Sequence, residues 1–403
     1  MSIPFEMKTL EPDQSKKTIT LPIEIIEEII SRVPVKSILR FRSVSKPWLS
    51  IISNNPSFTK LHFTRTTSNH FTALFIAAYD QCNRKRYFLS AARDGGLITH
   101  LMTLDNARTI GTSQAQHLKG LVCFSFTSLY PNCNCSYAYI INPSTRSVFK
   151  LPEPDDLLTY GKVHACYLFG FDEFTNEHKV VLYIRKHGGS VVEFRIFSMS
   201  SYSWRKIDVE PPVGFTWDSL RFDTKSSVCV NSVVHLMLRG SFDVLAIDLR
   251  TNKSCVISTP HGVVPSTPFR LDARNVTLTK DNYPRIIKID GCVGVVCHDR
   301  VVESNEMHIW ILQDYESRVW IRETIAFPKP WSKLDGPFPF DDDNMGGVIF
   351  SLRKTSGNVV NLPIYNKKRK SFKSIQFTLG ELLCSKTITF GEIKCYAESI
   401  LPL

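Results

Sequence analysis

One pattern recurs along most of this 403-residue chain: a strand-like run, a polar turn, and a second run that begins with an aromatic or basic residue. The instances are YIINPSTRSVFKL, FRIFSMSSYSWRKI, LAIDLRTNKSCVI, IWILQDYESRVWIRE and PIYNKKRKSFKSI. With Asn142, Ser198, Asp248, Ile311 and Asn366 taken as equivalent positions, the intervals are 56, 50, 63 and 55 residues. A period of about 50 residues with four short strands per unit is typical of a kelch-like β-propeller. Because one unit cannot bury both faces of its sheet, such units must stack into a ring.

Residues 71–403 are therefore predicted to form a large all-β domain, a kelch-like β-propeller of about six blades. The count includes an irregular unit between residues 70 and 115. Runs such as VVEFRIFSM, DVLAIDL and MHIWIL alternate or are continuously apolar, as strands are. Clusters of Asn, Asp, Ser, Gly and Lys separate the runs, as expected for turns.

Residues 19–62 follow a helical period instead. Ile25, Ile29 and Val33 recur at i, i+4 and i+8, and glutamates occupy the other side. Pro22 suits the first turn of the first helix and Pro34 ends it, and the sequence SKPW marks the start of a later helix. We predict a small all-α domain of three short helices, preceded by a flexible tail over residues 1–18 and followed by a linker over residues 63–70.

The helical segment carries more apolar surface than about forty residues can bury within themselves. Two interpretations remain open from the residues alone. The surplus surface packs on the β domain, or it docks onto the helices of another protein.

Composition restricts the class of protein. The chain has 49 Lys and Arg against 38 Asp and Glu, a net charge of +11 spread along its length, which does not favour nucleic acid as a partner. The N-terminus MSIPFEMKTLEPDQSKK has no apolar core of a signal peptide, and no run is long enough to span a membrane. We therefore predict a cytoplasmic or nuclear protein, or one found in both, with its 11 cysteines reduced and no membrane partner.

No motif for catalysis or metal binding stands out. The sequence has no G-x-S-x-G, no H-E-x-x-H, no phosphate-binding glycine loop and no paired C-x-x-C. We expect no catalytic residue, no metal and no cofactor. The run KKRK at 367–370 fits either a solvated hairpin tip or a nuclear import signal, and we favour the hairpin tip.

The N-terminal segment LPIEIIEEIISRVPVKSILRFRSVSKPWLSIISNNPSFTKLHF resembles the F-box. That motif begins with Leu-Pro, continues through an apolar helix to a sequence like LPVKSLLRFR, and ends near VSKSW. The resemblance implies docking to a Skp-type adaptor, and through it to cullin and RING subunits. The positions that match the motif, and that the resemblance implies contact the adaptor, are Leu21, Pro22, Ile25, Pro34, Val35, Leu39, Val44 and Trp48.

The remainder resembles the F-box-associated domain of plant F-box proteins, through GLVCF at 120–124, NPSTRSVFKLP at 142–152, FGFDEFTNEHKVV at 169–181 and YAESILPL at 396–403. This resemblance implies a non-catalytic substrate receptor of an SCF-type ubiquitin ligase, in which the propeller captures an unidentified protein target. A pollen self-incompatibility receptor for a secreted ribonuclease is an alternative with the same architecture. A propeller enzyme or glycan-binding protein is a third.

Overall fold

The computed structural model describes residues 21–68, 72–105, 111–128, 136–154, 163–186, 192–217, 220, 222–239, 241–263, 284–298, 305–329, 338–342, 347–351, 359–380 and 388–403. The predicted tail over residues 1–18 lies outside this part of the chain. The described residues contain a few N-terminal helices followed by a six-bladed β-propeller, which confirms the predicted fold class. The kelch type stays a prediction.

Four helices form the N-terminal part, the helical head. They are α1 (Ile23–Ile30), α2 (Val35–Phe41), α3 (Lys46–Asn54) and α4 (Pro56–Ser68). Helix α3 begins as the SKPW motif predicts, because the Ser45 hydroxyl accepts the Trp48 N–H at 3.4 Å with a proline in the first turn.

The strands follow in chain order. Blade 1 contains β1 (Thr72–Asp80), β2 (Lys85–Ala92) and β4 (Thr99–Leu104), with β3 (Gly96–Leu97) between the last two in sequence. Blade 2 contains β5 (Gly111–Leu118), β6 (Leu121–Ser128), β7 (Tyr137–Asn142) and β8 (Ser147–Lys150). Blade 3 contains β9 (Val163–Asp172), β10 (Glu177–Lys186), β11 (Val192–Ser198) and β12 (Ser203–Ile207). Blade 4 contains β13 (Phe222–Val230), β14 (Val233–Leu238), β15 (Val244–Asp248) and β16 (Ser254–Ile257).

Blade 5 contains β17 (Arg285–Ile289), β18 (Cys292–His298), β19 (Glu306–Asp314) and β20 (Val319–Ala326). Blade 6 contains β21 (Phe338–Asp342), β22 (Gly347–Ser351), β23 (Val359–Asn366) and β24 (Ser371–Thr378). The last strand, β25 (Ile388–Ala397), returns to blade 1 and completes its four strands.

The ring is closed by the two ends of the β domain. Strand β25 pairs antiparallel with β1, with Leu74 opposite Cys395, and occupies the innermost position that the first strand takes in the other blades. A second closing contact comes from β3, which pairs in parallel with the outer strand β24 of blade 6. Blades 2 to 5 are each built from four consecutive strands, whereas blade 1 needs strands from both ends of the β domain.

Five hairpins between the third and fourth strands of a blade share one turn chemistry. Asn142, Asp248 and Asp314 each accept two backbone N–H groups two and three residues further on, and Asn366 accepts one. The residue four positions later has a positive φ; these residues are Arg146, Tyr202, Asn252, Arg318 and Lys370. KKRK at 367–370 is accordingly the tip of the β23–β24 hairpin, as predicted.

The capped turns also correct one of the equivalent positions assigned to the sequence repeat, Ile311 in blade 5. The equivalent position in blade 5 is Asp314, three residues after Ile311, because the turn-capping side chain and not the apolar run marks the repeat. Apolar runs of equal length leave the register along a strand undetermined, whereas a capped turn occupies one position only.

Helix α4 is a second difference from the sequence prediction, which placed a linker over residues 63–70. The helix continues to Ser68, so residues 63–68 belong to the helical head. The segment shows no apolar period because polar side chains fill buried positions. His62 lies within 3.1 Å of the Val33 carbonyl, and the Thr66 hydroxyl donates to the His62 carbonyl at 2.9 Å. Burial lowers the pKa of His62 below its usual range.

The helical head shares its core with the C-terminal tail of the propeller. Ile400 is 8% exposed and packs among the buried head residues, which include Ile30, Ile38 and Phe58. The Glu398 carboxylate accepts the Val35 N–H at 3.2 Å, at the start of α2. Part of the apolar surplus of the head is therefore buried against the propeller's own chain.

The tail is held from the propeller side as well. The Asn142 amide donates to the Ser399 carbonyl at 3.0 Å and to the Leu401 carbonyl at 2.8 Å. Gly120 has φ of +88°, and a Cβ on it would lie 2.3 Å from Cβ of Ser399. A side chain at position 120 would therefore displace the tail.

We expect Ile400→Ala to lower the free energy of unfolding by about 2 to 5 kcal/mol, because it removes a buried side chain from the head core. Urea unfolding followed by circular dichroism measures the change. Pro402→Ala, at an exposed position two residues on, is the control and should leave the midpoint unchanged. Equal midpoints for both variants would show that the tail contributes nothing to the head.

Candidate protein-interaction surfaces

The propeller has two faces, and the helical head lies on one of them. Because neighbouring strands in a blade are antiparallel, connections alternate between the faces. Phe63 of α4 lies beside Gly120 in the β5–β6 turn and shares a cavity wall with Ser232 in the β13–β14 turn. We call this side, which carries the first-to-second-strand turns, the head face, and the opposite side the far face.

Connection length differs between the faces. On the head face the β5–β6, β13–β14 and β17–β18 turns have two residues each, at 119–120, 231–232 and 290–291. On the far face the β8–β9, β12–β13 and β16–β17 connections cover residues 151–162, 208–221 and 258–284. Long connections on a rigid scaffold are where binding residues concentrate, so the far face has more chain available for recognition.

Apolar side chains on the helical head remain exposed after the head has folded. Six of them are between 41% and 60% exposed, and we call them the head patch: Leu21, Ile23, Ile25, Ile29, Val44 and Leu49. Ile25 and Ile29 are spaced by four residues, which places them on one side of α1, and Leu21 precedes the helix next to its Pro22 cap. Ile26 and Ile30, one position further round the helix, pack into the head core. Helix α1 is thus apolar on two sides, and only one of them is covered.

The eight positions that match the F-box motif separate into two groups. Five are exposed, namely Leu21, Pro22, Ile25, Pro34 and Val44. Leu39 and Trp48 are half-buried against the head core, where the Trp48 ring meets the Phe41 ring edge-on at 5.1 Å. Val35 is 1% exposed and belongs to the core itself, so its side chain does not reach a partner. Val35 therefore contributes to the packing of the head core.

Three members of the head patch were not predicted from the sequence. Ile23, Ile29 and Leu49 are exposed although they look like core residues in an apolar helix. The four-residue spacing from Ile25 to Ile29 is the signal that could have found Ile29.

A second exposed apolar feature lies on the far face, in the β12–β13 connection, which we call the 209–217 loop. Its neck is tied by the Trp217 indole N–H, which donates to the Val209 carbonyl at 2.9 Å. The Trp217 ring packs on Phe194 with a centroid distance of 4.7 Å, and the Arg185 guanidinium donates to the Trp217 carbonyl at 2.9 Å. These contacts hold the base of the loop against blade 3.

The tip of the 209–217 loop is a tight turn. The Phe215 N–H donates to the Pro212 carbonyl at 2.9 Å, and Gly214 has the φ of +83° that a type II turn requires. Val213 is 100% exposed and Phe215 is 42% exposed. The loop therefore presents two apolar side chains on a backbone that is already ordered. The sequence PPVGF contains the turn signal, but the sequence analysis did not assign it a role.

Basic side chains also lie at the far-face ends of strands in blades 3 and 4. Burial lowers the pKa of His164, and the nearby charges of Arg239 and Arg185 lower it further. His164 is the second residue of β9, Arg185 is near the end of β10, and Arg239 follows β14, so all three lie at the far face.

In the part of the chain that the structure describes, no three His, Cys, Asp or Glu side chains come together in a group that could hold a metal ion. Among the same residues, no helix combines the length and apolar character needed to cross a membrane.

Comparison with known proteins agrees with this architecture. A family model described as the F-box associated beta propeller domain matches residues 30–390. F-box protein At1g52495 of Arabidopsis thaliana is 24% identical over 408 residues, which cover 96% of this chain and 88% of that protein. F-box protein At1g30790 of the same plant is 25% identical over 342 residues, covering 78% and 77% of the two chains.

Among solved structures, TolB from Acinetobacter baumannii aligns with a TM-score of 0.46 and 10% identity over 85% of this chain and 73% of its own. The family model spans most of the chain, including the last three head helices and the residues of all six blades up to β25. The chain belongs to the family of plant F-box proteins that carry an F-box-associated β-propeller domain.

Proposed function

We propose that this protein is the substrate-recognition subunit of an SCF-type cullin-RING ubiquitin ligase. The helical head docks to a Skp-type adaptor, which connects it to the cullin and RING subunits, and the propeller captures a protein target. The head patch is the observation that carries this proposal, because six apolar side chains stay uncovered on a head whose core is otherwise complete. The F-box family membership supports the choice of an adaptor as the partner.

Such a receptor makes and breaks no covalent bond. It holds a target lysine near a ubiquitin thioester, which makes the attack effectively intramolecular at a local concentration on the order of millimolar. This increase in local concentration depends on a fixed geometry between the surface that binds the adaptor and the surface that binds the target. The shared core around Ile400 supplies a rigid connection between them.

The contact surface proposed for the adaptor is the head patch together with Pro22 and Pro34. Leu39 and Trp48 are half-buried and pack on the head core, so they stabilise the helices that carry this surface. We exclude Val35 from the contact surface because it is buried.

We expect the double variant Ile25→Glu with Ile29→Glu to lose adaptor binding, because it places two charges in the centre of an apolar contact. Loss of about 2 kcal/mol at each position would weaken binding by roughly 30-fold per residue. Both side chains are exposed, so the urea midpoint of the isolated protein should stay the same. Affinity for a purified adaptor is the measurement.

The matched control for this experiment is Val319→Glu, which changes an equally exposed apolar residue on the outer strand of blade 5. Adaptor affinity should not change in this control. If the double variant binds as tightly as the unmodified protein, the head patch is not the docking surface.

The contact proposed for the target is the 209–217 loop on the far face. Its tied neck and capped tip mean that little conformational entropy is lost when a partner covers Val213 and Phe215. Aromatic residues on such pre-ordered tips are frequent binding hot spots. The position of the loop, on the face opposite the head, leaves the adaptor and target free to bind together.

We expect Val213→Ser with Phe215→Ser to abolish target capture and leave adaptor affinity unchanged. Proximity labelling in plant cells with the cullin ligase inhibited would compare the proteins labelled by the double variant with those labelled by the unmodified protein. Proteins that only the unmodified protein labels are the candidate targets, and their abundance should rise in cells that lack this protein. Phe174→Ser is the matched control, since Phe174 is 86% exposed in the same blade but on the head face. An unchanged set of labelled proteins in the double variant would contradict a role for this loop.

A further inference from the structure

An open cavity of about 520 Å³ lies between α4 and the head-face mouth of the propeller axis. Its walls include Phe63, Thr64 and Thr67 of α4 and the turns that end β5, β9, β13 and β17. One to three residues before the lining residues of β5 and β13, the Gln114 and Gln116 amides both donate to the Ser227 hydroxyl at 2.6 Å. These hydrogen bonds connect blade 2 to blade 4 beside the cavity.

Two cations border the cavity from opposite sides. Lys119 comes from blade 2 and Lys288 from blade 5, and blades three places apart in a six-membered ring face each other across the axis. Lys288 is half-buried and has no hydrogen-bond or ion-pair partner among the described residues. Glu173 is the acidic residue of the lining. With two lysines against one glutamate, the lining has an excess of positive charge, which favours an anion.

Neutral donors in the wall add to this preference. Ser232 is 2% exposed, and its oxygen accepts the Glu173 N–H at 2.9 Å. Its hydroxyl hydrogen has no acceptor among the residues that the structure describes. The Asn231 amide, next to it in the same turn, likewise has no partner there.

Hydrogen bonds to Nε2 fix the tautomer of His117 and leave its Nδ1–H available as a donor. The Gly120 and Ala397 N–H groups both donate to its Nε2, at 3.0 and 3.3 Å, so the proton of the neutral ring is on Nδ1. Burial, followed by the charge of Lys288, lowers the pKa of His117 to about 3, which keeps the ring neutral. In the described part of the chain, the Nδ1–H has no acceptor.

We propose that this cavity binds a compact polyanionic metabolite, one that carries at least two phosphate or carboxylate groups. One group pairs with Lys288, a second pairs with Lys119 on the opposite side, and Asn231, Ser232 and His117 donate to the remaining oxygens. The volume lies within the range of about 300 to 1,000 Å³ that small-molecule sites usually have. This proposal is independent of the proposed ligase function.

The ligand would bridge the two parts of the molecule, because α4 supplies one wall and the propeller turns supply the others. This arrangement also accounts for the polar sequence TRTT at 64–67, which looks like a linker. Thr64 and Thr67 face the cavity, while Arg65 pairs with Glu28 at 2.6 Å and Thr66 is buried against the head. A bound anion would therefore stabilise the position of the head on the propeller.

The test uses the full-length protein and two probes, tripolyphosphate and citrate, titrated by isothermal calorimetry at constant ionic strength. We expect saturable binding of one stoichiometric equivalent, and slower amide hydrogen exchange in α4 when the site is filled. Preference for tripolyphosphate would identify a phosphorylated metabolite, and preference for citrate a polycarboxylate. Lys288→Met should weaken binding at least about tenfold, because the methionine keeps the side-chain volume and removes the charge.

Lys119→Met is the second variant and should weaken binding in the same direction. Lys373→Met, on the exposed outer strand of blade 6, is the control and should bind as the unmodified protein does. The proposal is wrong if neither probe binds saturably, or if all three variants bind the better probe with equal affinity.

Discussion

The pairing of β25 with β1 is the interaction on which the rest of the structure depends. Strand β25 occupies the innermost position of blade 1, so it joins the last strand of the chain to the first strand of the β domain. The residues that follow it then leave the propeller and enter the helical head, where Ile400 completes the core. A single C-terminal segment thus closes the ring and positions the head, and weakening it affects both.

This dependence has a consequence for function. The head is not a separate module on a flexible connection, because its core contains Ile400 and its second helix begins at the Glu398 carboxylate. The head patch and the 209–217 loop are consequently held at fixed positions on opposite faces of one body. A receptor that presents a target to a distant catalytic subunit benefits from such rigidity, since each freely rotating joint would lower the local concentration of the target lysine. The cavity beneath α4 lies at this junction, where a ligand could act on the connection itself.

The sequence predicted those features that depend on neighbouring residues. The stacked β units were recognisable from the repeated turns, and the start of α3 from the Ser45 cap. Helix α4 was missed because it has no apolar period. The polar residues His62 and Thr66 fill its buried positions, where apolar side chains would have revealed a helix. The blade 5 register was misassigned by three residues because apolar spacing repeats within a strand, whereas the Asp314 turn occurs once.

The sequence by itself therefore determined the helical and β segments, the repeat, the turn chemistry and the apolar surplus of the head, because all of these follow from local propensity and periodicity. Only the tertiary structure decided which isoleucines are covered. Ile30 and Ile29 are adjacent and chemically identical, yet one is fully buried and the other half exposed. The difference arises because the residues that share a core with Ile30 come from the other head helices and, with Ile400, from the far end of the chain, and contacts between separate segments leave no periodic signal within the helix.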